Sequence, residues 1–308
     1  MRLIAGDVGG TKTLLRCVDE NDAVVAEARF DSAHYATFDG LLRAFDPGPV
    51  DAACFAVAGP VFHGRAEVTN LGWTMDEDDL SSAFSIPRVA LINDFYAVAL
   101  GVPLLGTDDL IPLQRVPRDP SAPIGILGAG TGLGQAILVR GEVIPTEGGH
   151  QDFAPQDEEQ TRLFLELHRR YGHVSWERVL SGPGLTNIHT FLGGEALPPA
   201  MIAERADAGD PRARHAFEMF VDIYGAEAGN MALRVLARGG VFLAGGIAAK
   251  NREWFTDGRF LEAFLRKGRF RDVMETMPVD LIVNEQVGLL GALRRARGIC
   301  GEVRGAGC

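Results

Sequence analysis

Leu3-Ile4-Ala5-Gly6-Asp7-Val8-Gly9-Gly10-Thr11 is a short apolar run that empties into an acidic, glycine-rich turn. A strand ending in such a turn exposes a row of backbone N–H groups with no side chains in the way, which suits a polyphosphate. The theme returns downstream, where the apolar run from Ile124 to Leu127 opens into Gly128-Ala129-Gly130-Thr131-Gly132-Leu133-Gly134. Two such turns, one led by an acid, point to a nucleotide gripped from two sides with its metal held by Asp7. A carboxylate there can orient water on Mg²⁺, while backbone N–H groups and the Thr11 hydroxyl meet phosphate oxygens. No G-x-x-x-x-G-K-[ST] run occurs, and neither Gly128 nor Gly130 starts a G-x-G-x-x-G fingerprint.

Around these turns the pattern alternates between strand and helix. Hairpin strands are expected at Thr13–Val18 and Val24–Phe30, a helix at Phe38–Phe45 and an apolar strand at Ala52–Ala58. Asp76 is placed to cap a helix running to Phe84, and the strand Val89–Ile92 delivers Asn93-Asp94 to its carboxyl end. The segment from Pro103 to Pro123 carries Pro112, Pro117 and Pro120 and no periodicity, and reads as a crossover between two lobes. Beyond it come a strand at Gln135–Val139, helices at Glu158–Tyr171 and Pro211–Leu236, strands at Val241–Ala244 and Val279–Val283, and a last helix at Gly288–Ala296. The expected architecture is α/β, with two related lobes flanking a ligand cleft at strand carboxyl ends. Residues 1–103 with 288–308 would form the small lobe and 104–287 the large one.

A chain of 308 residues with 46% hydrophobic and 23% charged residues has the composition of a soluble enzyme. A net charge of −11 without a basic patch argues against nucleic acid. Cys17, Cys54, Cys300 and Cys308 lack the spacing of a zinc site or disulfide framework, which fits a reduced cytoplasm. The first strand starts at once, leaving no room for a signal peptide, and no apolar stretch reaches transmembrane length.

The candidate chemistry gathers at a few polar positions. Asp94 either caps the helix that begins at Phe95 or serves as the general base that takes a hydroxyl proton during phosphoryl transfer. Asn93 can donate and accept, which suits a sugar hydroxyl. Glu147-Gly148-Gly149-His150 brackets two flexible glycines with groups able to converge on one polar ligand. Glu177 reads from spacing alone as a helix-surface residue. Carboxylates with Asn and His suit polyol recognition and would repel an acidic substrate. The other histidines have no metal-ligand spacing and read as structural or surface residues.

The chain resembles bacterial glucokinases of the hexokinase/actin-like superfamily, in the group without a zinc-binding cysteine motif. The resemblance rests on Gly6–Thr11, Ala58-Gly59-Pro60, Leu91–Phe95, Gly128–Gly134, Glu147–Pro155, Glu177–Leu185 and Leu243–Ile247, in family order over nearly the whole length. The resemblance implies two actin-like, ribonuclease H-like lobes and ATP-dependent phosphorylation of glucose at its 6-hydroxyl. It makes Asp94 the catalytic base, and Asn93, Asp94, Glu147, His150 and Glu177 the glucose ligands. Asp7, Gly9, Gly10, Thr11, Gly130, Thr131 and Gly132 would hold Mg·ATP phosphates, Asp7 through water on the metal, with Gly245 and Gly246 near the adenosine. A cytoplasmic homodimer is implied as well. Replacing Glu177 should weaken glucose and leave ATP unaffected, and glucose should draw the lobes together. Family members carry Asn-His before the tryptophan, where this chain has Asn70-Leu71-Gly72-Trp73. Other readings weighed were a kinase for another hexose or small polyol, an acyl-phosphate-forming kinase or ATPase on the same fold, and a sugar-sensing regulator.

Overall fold

The structure is a computed structural model that describes residues 1–68 and 70–301. The chain divides into two compact units, Met1–Leu105 with the segment from Gln286 onward, and Gly106–Glu285.

In the first unit, β1 (Leu3–Val8), β2 (Lys12–Val18) and β3 (Val24–Asp31) form an antiparallel meander. Helix α1 (Phe38–Phe45) leads to β4 (Ala52–Val57), which pairs in parallel with β1. Every residue of β4 is buried, so its sequence shows no alternation, as expected of a central parallel strand covered on both faces. A small antiparallel sheet of β5 (Val61–Phe62), β6 (Arg65–Val68) and β7 (Trp73–Asp76) follows. Asp76 accepts from the N–H groups of Asp78 and Asp79 and so caps α2 (Glu77–Phe84). Then β8 (Val89–Asn93) runs parallel to β4 and leads into α3 (Asp94–Gly101). The sheet order is β3-β2-β1-β4-β8. Phe38, Phe55 and Trp73 interlock in the core, with the two phenyl rings 4.8 Å apart.

The C-terminal helix Val287–Gly301 extends the expected Gly288–Ala296 at both ends and packs on α3, β1 and β4. A Cβ at Gly291 would lie 1.7 Å from the carbonyl oxygen of Ala97, so only glycine permits this approach.

The second unit repeats the plan. β9 (Leu110–Gln114) precedes β10 (Ile124–Ala129), β11 (Leu133–Val139) and β12 (Glu142–Thr146), the last three forming a second meander. Helices α4 (Glu158–Tyr171), α5 (Gly182–Phe191), α6 (Pro199–Asp207) and α7 (Pro211–Val235) follow. Two parallel strands, β13 (Gly240–Ala244) and β14 (Val279–Ile282), complete the order β12-β11-β10-β13-β14-β9.

Two sequence expectations need correction. The proline-rich segment is not a bare crossover, because β9 lies inside it as the edge strand antiparallel to β14. Pro112 is tolerated where a strand has only one bonded neighbour and the register shifts beside it. The turn at Gly141-Glu142 is followed by β12, whose mostly exposed residues and Pro145 concealed the strand. Among the described residues no helix is long and apolar enough to cross a membrane.

Candidate active site

Three motifs meet at the carboxyl ends of β1, β4 and β8, which are parallel neighbours in the first unit. Asp7 is the penultimate residue of β1. The turn after it is closed by the Gly9 N–H donating to the Lys12 carbonyl at 3.1 Å. Its outer side is pinned by Ser32, whose hydroxyl donates to the Gly9 carbonyl at 2.8 Å and whose N–H donates to Thr11 at 3.0 Å. Asn70 lies against Gly10, 3.4 Å from where a Cβ would stand. At the end of β4 the Ala58 N–H donates to the Val8 carbonyl, and the Gly59 carbonyl accepts from Asn93 Nδ2 at 3.1 Å.

Asn93 itself caps α3, its Oδ1 accepting from the N–H groups of Phe95 at 2.9 Å and Tyr96 at 3.2 Å. The capping role weighed for Asp94 therefore belongs to Asn93. Three of its four amide hydrogen-bonding positions thus serve the fold. Asp94 is the first helical residue and accepts from the Phe95 N–H at 2.8 Å. Burial pushes its carboxyl up to about 6, the nearby Asp7 charge adds to the rise, and bonds from Phe95 and Asn93 oppose it. Asp7 is also raised, by burial, against a counter-pull from Arg29. The Asp7 carboxylate is a hard oxygen donor of the kind that suits a hydrated magnesium ion. Among the described residues no group of three or more His, Cys, Asp or Glu is placed to hold a metal by itself.

In the second unit, β10 and β13 are parallel neighbours and end in the two other glycine turns. The Gly130 N–H donates to the Gly132 carbonyl at 2.8 Å, and the Gly130 carbonyl accepts from the N–H of Gly182 at the start of α5, also at 2.8 Å. Thr131 is exposed at the tip. Gly245 has φ +87, and a Cβ there would lie 2.5 Å from the Ala129 carbonyl, so the two turns lie against each other. Gly246 opens the short helix Gly246–Lys250.

Glu147 and His150 flank a single 3₁₀ turn with Oε2 and Nε2 4.0 Å apart. Their side chains are 73% and 62% exposed, open to a ligand. The intervening glycines are not there for flexibility. They are buried, and a Cβ at Gly149 would lie 2.2 Å from the Leu133 carbonyl. Glu177 sits, half-buried, in the 3₁₀ turn Trp176–Arg178. This turn is joined to the Glu147–His150 segment by the Trp176 N–H donating to Gln151 at 2.9 Å and by Phe153 packing edge-on against Trp176. The Glu177 carboxylate accepts from the Leu133 N–H at 3.0 Å, directly at the second glycine turn. That bond had no signature in the sequence, since the partners lie 44 residues apart. Ser32, which anchors the first turn, carried no local signal either.

A sequence profile of the family described as Glucokinase matches residues 4–298. The glucokinase of a Nostoc species is 40% identical over 94% of this chain and 97% of its own length. That of Cronobacter sakazakii is 36% identical over 97% and 98%. Among solved structures, a glucokinase from an Antarctic psychrotroph matches with a TM-score of 0.86 at 29% identity, covering 96% of this chain and 99% of that one. The glucokinase of Balamuthia mandrillaris, solved with glucose, shares the fold with a TM-score of 0.81 at 24% identity, over 96% and 94%. The two units are thus the α/β lobes of an actin-like, ribonuclease H-like kinase fold. Profile, relatives and fold agree over almost the full length, and the chain belongs to the glucokinase family, enzymes that phosphorylate glucose with ATP.

Proposed function

We propose that Asp94 is the general base that takes the proton from the 6-hydroxyl of glucose as the γ-phosphoryl group of ATP is transferred to it. The observation that carries this reading is the placement of a half-buried carboxyl, raised to about 6, on the same strand ends as the acidic glycine turn. A base poised just below neutral pH is ionised in use yet accepts a proton readily. Glu147, His150 and Glu177 serve as partners for the other sugar hydroxyls, and Asn93 is a further glucose ligand on the strength of the family resemblance. The turns Gly9–Thr11 and Gly130–Gly132 receive the phosphates: the N–H groups of Gly9 and Gly130 close the turns on Lys12 and Gly132, those of Gly10, Thr11, Thr131 and Gly132 meet phosphate oxygens, and Gly245 and Gly246 lie beside the adenosine. Asp7 holds magnesium through water, and the bound ion offsets charge on the phosphates. Asp94 and Asp7 then divide the work, one for the proton and one for the metal. The reading extends to a homodimer in the cytoplasm, supported by the family resemblance alone.

A coupled assay across hexoses and phosphoryl donors tests it. Glucose with Mg·ATP should give the highest kcat/KM, and the product should carry phosphate on its 6-oxygen. Faster turnover of another hexose, or phosphate at another position, would overturn the assignment.

A further inference from the structure

Helix α7 packs against β10 and β13, and two of its residues one turn apart, Tyr224 and Glu227, are completely buried. Residues three apart share a helix face. The Tyr224 hydroxyl accepts from the Ala129 N–H at 3.0 Å, and the carbonyls of Leu127 and Ala244 lie 3.4 Å from the same oxygen. One hydroxyl therefore joins the last residues of β10 and β13 just before Gly130–Gly132 and Gly245-Gly246.

Glu227 reaches a different turn. Its carboxylate accepts from Gln135 Nε2 at 2.9 Å and Asn230 Nδ2 at 3.0 Å, with Arg234 Nη2 3.6 Å away. Lys267 completes the cluster, donating to the Asn230 Oδ1 at 2.7 Å. The Gln135 NH₂ faces Glu227, so its Oε1 faces away. That Oε1 is buried, with no hydrogen-bond partner among the described residues. It lies under the sugar turn, 2.2 Å from where a Cβ on Gly148 would stand.

We infer that this face of α7 holds the two ligand-binding regions of the second unit in register. Tyr224 sets the nucleotide turns, and Glu227, through Gln135, sets the Glu147–His150 turn. Both are positioning residues, acting through backbone and a side-chain amide without touching substrate. The inference rests on the reading of those turns given above.

The two supports should separate kinetically. Tyr224→Phe leaves the Ala129 N–H without its acceptor, and it should raise the KM for ATP about fivefold with the glucose KM within about twofold. Gln135→Met removes the amide beneath Gly148, and it should raise the glucose KM about fivefold with the ATP KM within about twofold. If Gln135→Met does not fold, Glu227→Asp keeps the charge but withdraws it by one methylene, and the same glucose-only change is expected. Lowered thermal stability with both KM values unchanged would assign these residues to the fold alone and overturn the inference. So would variants in which both KM values rise together. Glu147→Gln is assayed alongside. If it leaves glucose affinity unchanged, the sugar reading of the turn fails and the glucose arm falls with it. If it weakens glucose while Gln135→Met does not, only the inference from α7 fails.

Discussion

The two units build the same strand–turn–strand device and equip it differently. In the first, the final pair of the ladder is Val8 with Thr13, in the second Ala129 with Leu133. Asp7 of β1 therefore stands where β10 has Gly128. The acidic version keeps its carboxylate at the turn and is pinned from outside by Ser32. The glycine version carries no acid of its own and takes one from elsewhere, as Glu177 reaches in to the Leu133 N–H. On the proposed reading, one plan thus yields a unit that serves proton and metal and another that grips ligands.

The largest expected effect falls on the acidic side. Asp94→Asn keeps size but removes the base, and kcat should fall about 10²- to 10⁴-fold. Glucose should still bind by calorimetry. Turnover near wild type would return the catalytic role to some other group. The pH profile is next in size. With the Asp94 carboxyl raised to about 6, kcat/KM should drop about tenfold per unit below that value and level off above it. The linkage sign is opposite to that of a salt-bridged aspartate. Its folded pKa lies above the ordinary 3.8, so stability present at low pH is lost as pH rises from there through about 6. Asp94→Asn should accordingly have a higher Tm than wild type at pH 7, a difference that disappears at pH 3.

On the gripping side, Glu177 now carries a different expectation. Because its carboxylate holds the Leu133 N–H, Glu177→Gln should raise the glucose KM about tenfold and the ATP KM about threefold. An ATP KM within error of wild type would show that the Leu133 bond does not shape the nucleotide turn. The smallest effect separates two glycines of one turn. A Cβ on Gly132 would lie 2.5 Å from Glu177 Oε2, while one on Gly130 meets nothing within 4 Å. Gly132→Ala should cost about 1 kcal/mol in thermal unfolding, as the Glu177 carboxylate swings aside and gives up its bond from Leu133. Gly130→Ala should leave Tm unchanged and raise only the ATP KM, because its methyl enters the space left for phosphate.

Much of this was legible because the informative signals are local. Strand into glycine turn, Asp76 before a helix and Asn93-Asp94 after an apolar run each involve residues a few positions apart. What stayed hidden depends on partners distant in sequence. The bond from the Asn93 amide to the Gly59 carbonyl, 34 residues away, had no signature in the sequence. Gly148 and Gly149 read as flexible until β11 was seen packed beneath them. Tyr224 carries no local signal on its long helix, and its bonds to three backbone groups follow from the strand order of β10 and β13. The sheet β5–β7 was missed because its strands are two to four residues long, below the length at which alternation becomes readable.

The C-terminal helix that covers β1 and β4 has a consequence for how the polypeptide matures on the ribosome. The first strands to leave the exit tunnel lack the helix that finishes their core until all of residues 106–285 have been made. The second unit has every one of its strands in hand earlier. Units of a chain generally fold as their residues become available. Here the order is inverted, and the unit begun first is completed last. The part of β4 that this helix covers must wait, open to other chains and to chaperones, until residues 106–285 have been translated.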